Sequence, residues 1–123
     1  KLHPAIMFPI KNDNGSAWAQ GDVIVVDADC AGCGKVGGAT NDLTTVIGIA
    51  YDAVANGAVG YVITEGYAIV KTTGTVDRGM ALVTTTAAAG RLIGDATPTT
   101  GADVGVAVSS GVAAGGTAVM YVK

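Results

Sequence analysis

Aromatic side chains are scarce in this chain of 123 residues: one Trp, one Phe and four Tyr. That leaves little for a platform on which sugar rings or bases could stack. Histidine is reduced to His3 and glutamate to Glu65, so general acid–base chemistry has almost no supply. The remaining acids are Asp, and Asp42, Asp52, Asp77, Asp95 and Asp103 stand in or beside turn sequences, where Asx turns account for them. Asp27 and Asp29 border a glycine-rich loop but lack the spacing of a calcium loop. Charge is also sparse, at 14% of the chain with a net charge of −3. No cationic surface is available to neutralise a run of phosphates, so nucleic acid is not an expected partner. No catalytic residue is expected, and the chain does not read as an enzyme.

The two cysteines form Cys30-Ala31-Gly32-Cys33. This spacing suits a redox dithiol or half of a zinc site, but glycines follow instead of a helix that would lower a thiol pKa, and only the distant His3 could add a further ligand. Free thiols, a local disulfide and a metal shared between subunits all remain open at this stage. Gly34-Lys35 fails as a phosphate loop, since Asp29 and Val36 stand where Gly and Ser or Thr are needed. No cofactor or metal is expected.

Small apolar residues and glycine dominate what is present. Half the chain is hydrophobic, mostly Ala and Val, and there are 19 Gly. The length suits a single domain. A core of Ala and Val supplies little bulk against the cost of ordering the backbone, so burial between identical subunits is expected. Mean hydropathy is +0.48, and the uncharged run Val104–Val122 approaches the roughly 20 residues that span a bilayer. Its glycines, and the alternation Val104, Val106, Val108, instead predict a hairpin and no membrane span. The first ten residues hold Pro4 and Pro9 and lack the apolar core of a secretory leader.

Residues 1–20 carry the only His, Phe and Trp and show no alternation. They read as an extended N-terminal arm, because Pro4 and Pro9 impose extended backbone and each remove a donor. Ile6, Phe8, Ile10 and Trp18 are its candidate binding anchors, with folding back onto the core as the alternative. Residues 21–123 read as one β-domain. Short runs at Asp22–Val26, Thr45–Tyr51, Val59–Thr64, Tyr67–Thr72, Met80–Thr85, Arg91–Ile93, Val104–Ser109 and Thr117–Val122 are separated by turn chemistry. Asn56-Gly57 is the strongest hairpin signal, Glu65-Gly66 reads as a joint, and the loop around the cysteines reads as irregular. A short helix could form around Ala53 or Ala87. The expected fold is all-β, a small antiparallel sandwich or barrel. There is an internal echo: Gly48-Ile49-Ala50 followed by Tyr61-Val62, and Gly105-Val106-Ala107 followed by Tyr121-Val122. Duplication and chance similarity of Gly/Ala/Val hairpins both explain it.

The order of these pieces resembles the small capsid cement, or head decoration, proteins of tailed phages. The resemblance runs through AQGDVIVVD, GIAYDAVANGAVGYVITEGYAIV, RGMALVTTT, LIGDA and GVAVSSGVAAGGTAVMYV. It departs at the CAGC loop and at the proline-containing arm. It implies a β-sandwich or barrel that trimerises on the outer surface of the shell and bridges subunits of the major capsid protein, with no catalytic residues to carry over. Two rival readings are a cell-surface or filament subunit, and a small redox or zinc-binding protein using Cys30 and Cys33.

Overall fold

The computed structural model describes residues 5–37, 45–85, 89–95, 103–109 and 116–122. Among these described residues nine strands follow one another: β1 (Ile6–Asn12), β2 (Val23–Val26), β3 (Cys33–Val36), β4 (Val46–Ala50), β5 (Val59–Thr73), β6 (Ala81–Thr84), β7 (Leu92–Asp95), β8 (Gly105–Ala107) and β9 (Thr117–Val122). The fold is all-β, as the alternation predicts. Among the described residues there is no α-helix, so none forms at Ala53, whereas Ala87 lies outside them. No helix among them is long and apolar enough to cross a membrane, and the uncharged run near the carboxyl end supplies β8 and β9, paired antiparallel.

The strands close into two five-stranded barrels that share β5. The first runs β1-β3-β2-β4-β5 and returns to β1; the second runs β5-β7-β6-β8-β9 and returns to β5. The expected antiparallel sheet has one parallel pair in each barrel, β1–β3 and β5–β7. The 15-residue β5 serves both, pairing with β1 and β4 through its first half and with β7 and β9 through its second. The changeover is Gly66 at φ +113, a conformation open to glycine and costly for other residues. What the sequence presents as a turn at Glu65-Gly66 is therefore a continuous strand whose outward side changes partners. The loop expected to be irregular contains β3, which completes the first barrel.

The two barrels repeat one another in order, sense and register. In the first, Gly21 N–H donates to the Ala50 carbonyl (3.0 Å), Asp22 N–H to Ala19 (3.1 Å) and Ala50 N–H to Asp22 (2.9 Å). In the second, Gly79 N–H donates to Ala107 (2.8 Å), Met80 N–H to Asp77 (3.1 Å) and Ala107 N–H to Met80 (2.9 Å). Gly21 and Gly79 have φ +89 and +88. Phe8 opposes Val62 and Ile10 opposes Gly60, as Ala68 opposes Met120 and Val70 opposes Ala118. A Cβ on Gly48 would strike the Ile63 carbonyl oxygen, and one on Gly105 the Tyr121 carbonyl oxygen. The echo in the sequence is thus a structural repeat, with Ile63 and Tyr121 as equivalents; the two Tyr-Val pairs themselves are offset by one side-chain period.

Among the described residues the buried apolar side chains form two clusters. Trp18, Ile24, Ala50, Val54 and Val62 pack inside the first barrel. The second barrel holds Val70, Val76, Leu82, Leu92, Ala107 and Met120, and its cluster also takes in Val23, Ile49 and Ile63. Those three form one cross-strand row on the outer wall of the first barrel, Val23 opposite Ile49 and Ile49 opposite Ile63. The wall of one barrel therefore plugs an end of the other. Burying each of these side chains contributes roughly 1.5–3 kcal/mol. Lys71 Nζ also meets Asp22 Oδ1 across the same junction at 2.8 Å.

Candidate interaction surface

The four residues read as anchors of an arm do not share one environment. Ile6–Asn12, expected to lie along a surface, is a strand of the first barrel that pairs with β5 along its length and with β3 at Lys11 and Asn12. Pro9 is tolerated there for a geometric reason. Lys11 N–H points away from β5 to the Gly32 carbonyl (3.2 Å), and the nitrogen of Pro9, two residues earlier, faces the same side, beyond the end of the β3 pairing. Trp18 is 1% exposed and belongs to the core. Its backbone exchanges hydrogen bonds with Val54, 3.0 Å in each direction, and its ring fills the first barrel with Ile24 and Val62. Ile10 is half-buried against the same cluster. Ile6 and Phe8 remain accessible, 46% and 54% exposed.

The turn after β1 is fixed by Asn12, which is fully buried. Its Nδ2 donates to the carbonyls of Val54 (2.8 Å) and Ser16 (3.0 Å), and its Oδ1 accepts from Asn14 N–H (2.8 Å). These bonds carry the chain inward to Trp18, so the bulkiest side chain is drawn into the core by a polar turn that shows no alternation in sequence.

Sequence reasoning missed a second exposed apolar set. Val59, Tyr61 and Tyr51 lie on the outside of the first barrel, with Tyr61 opposite Pro9 and hydrogen-bonded through its carbonyl to Tyr51 N–H (3.1 Å). On the second barrel Tyr67, Ile69 and Val119 are exposed, and the rings of Tyr67 and Tyr121 meet edge to face with centroids 5.3 Å apart. Period-two reading assigns outward positions to polar residues, and here these are apolar. Single exposed hydrophobes are ordinary, but rows of them mark contact surfaces.

Little in the remaining groups supports chemistry. Cys30 and Cys33 are joined in a disulfide, so neither thiol is free. Among the described residues no group of three or more His, Cys, Asp or Glu is placed to hold a metal ion. Asp13 is held above the ordinary carboxylate range, first by a hydrogen bond with Asp27, whereas Asp27 is held below it, first by the Asp29 N–H that donates to it at 3.0 Å. A cleft of about 360 Å³ follows the seam between the barrels, with Val23, Val25 and Lys35 on one side and Thr84, Gly90 and Arg91 on the other. The Arg91 guanidinium is committed to the Thr72 and Gly116 carbonyls, at 3.0 and 3.3 Å.

No protein-family model matches the chain, and no curated protein matches its sequence. A solved structure does match its fold. The crystal structure of the head fiber gp8.5 N base of bacteriophage phi29 superposes with a TM-score of 0.62, covering 98% of this chain and 95% of that one at 14% identity. At that identity the likeness establishes a shared fold.

Proposed function

We propose that this chain is a structural protein of a phage head, which binds the outer surface of the major capsid protein shell and cements it. The observation that carries the reading is the fold: similarity over nearly the whole of both chains to the base of a phage head fiber. The order of motifs that resembles capsid cement proteins points the same way. A cement protein must bind many equivalent sites through area and avidity, and needs no reactive group. The exposed apolar row of Tyr51, Val59 and Tyr61 on the outside of the first barrel supplies such area, together with Ile6 of β1.

Trimerisation on the shell is part of this proposal. Three copies would engage three neighbouring capsid subunits together, and effective concentration would then multiply a modest affinity per copy. The test is co-sedimentation of the pure protein with emptied shells of the phage whose genome encodes it. Saturable binding to the outer surface, weakened at least tenfold by Tyr61→Asp on the outside of the first barrel, is the expected result. Absence of binding to such shells would overturn the proposal.

A further inference from the structure

The repeat makes a specific demand on the first barrel. One end of the second barrel is sealed by the wall row Val23–Ile49–Ile63 of the first. Beneath that seal Ala68 is 5% and Val104 8% exposed, and Val70 is fully buried. Their counterparts at the same end of the first barrel are Phe8, Ile47 and Ile10. Phe8 is exposed, while Ile47 and Ile10 are only half-buried. The uncovered end is therefore apolar and, in its equivalent position, is built to be covered.

The matching wall also exists, and the described residues leave most of it open. The row Met7–Ile63–Ile49–Val23 on the first barrel corresponds to Tyr67–Tyr121–Val106–Ala81 on the second, paired strand by strand in the same register. Val106 and Tyr121 are half-buried and Tyr67 is exposed, whereas Ile49 and Ile63 at the equivalent places are buried in the junction.

We infer that a second copy of this chain occupies the open end, its wall row Tyr67–Tyr121–Val106–Ala81 seated over Phe8, Ile10 and Ile47 of the first. The contact is head to tail and repeats between molecules the junction already present within each one. It is heterologous, so copies continue into a closed ring or an open filament. It is also weaker than the internal junction. The position of Asp22 is taken by Met80 and that of Lys71 by Lys11, so the ion pair between Asp22 and Lys71 has no counterpart and apolar burial carries the contact.

The inference stands apart from capsid binding: a chain that self-associates but ignores shells would sustain it and defeat the cement reading. Sedimentation of the pure protein with two variants tests it. Phe8→Asp damages only the open end and Val106→Asp only the wall, with Tyr67→Asp as a more exposed substitute should circular dichroism show Val106→Asp unfolded. The wild type should associate, each variant alone should be monomeric, and an equimolar mixture should form a heterodimer that grows no further, because one intact end meets one intact wall. A wild type that stays monomeric up to about 1 mM, well above the range of specific contacts, overturns the inference. So does a mixture that stays monomeric, or a single variant that associates as the wild type does.

Discussion

The two barrels have one topology and two ways of being filled. The first closes around Trp18, a single large side chain brought inward by the Asn12 turn. The second has Val76 at the equivalent place and gains its bulk from Val23, Ile49 and Ile63 of its neighbour. A chain this poor in aromatic residues thus completes one core with its only Trp and the other with the wall of a repeat. Both solutions answer the shortage of apolar volume that the composition announces, and the second solution can be extended to another molecule.

The largest effect that would break this comparison is removal of the plug. Trp18→Ala should destabilise the protein by about 4 kcal/mol and Val76→Ala by about 2 kcal/mol, measured by urea denaturation, since the larger cavity costs more. Trp18→Phe should recover much of the loss, because the indole Nε1 has no acceptor among the described residues. Equal losses at Trp18 and Val76 would mean that the barrels are not filled differently.

Next come the paired glycines. Gly48→Ala and Gly105→Ala each drive a methyl into a partner-strand carbonyl, and each should cost about 3 kcal/mol, at the upper end of overpacking. A large loss at one and none at the other would show that the repeat is topological only. A smaller effect is expected in the loop that distinguishes the first barrel. Replacing Cys30 and Cys33 together by Ser should lower stability by at most about 2 kcal/mol, a shift of some 10 °C or less in Tm, because the disulfide closes a very short loop. The smallest is the junction ion pair: Lys71→Met should cost about 1 kcal/mol, as Lys71 is partly exposed and the buried Asp22 keeps the hydrogen bond from Ala19 N–H.

How far the sequence discloses this arrangement follows from the local physics of each element. Strands β2, β4, β6, β8 and β9 announce themselves by apolar runs between turn residues. β3 does not, because Cys33-Gly34-Lys35-Val36 has the composition of a loop and becomes a strand through pairing with β2 and β1. Tertiary context overrides propensity there. β5 reads as two strands since a glycine at positive φ resembles a turn, and only the pairing on either side shows that the strand runs on. Trp18 looks like part of an arm because it forms an isolated bridge with Val54, which leaves no periodic trace. The repeat is partly legible at Gly48-Ile49-Ala50 and Gly105-Val106-Ala107. It fades elsewhere because equivalent core positions hold Trp and Val, or Phe and Ala, according to what covers them.

The proposal that this chain is an external structural component of a phage head is tested most directly by reconstructing the native particle at a resolution that traces strands. The account predicts double-barrel density on the outer face of the shell, touching the major capsid protein through β1 and the first half of β5. A particle that lacks this density, or carries it on the inner face, would contradict the account.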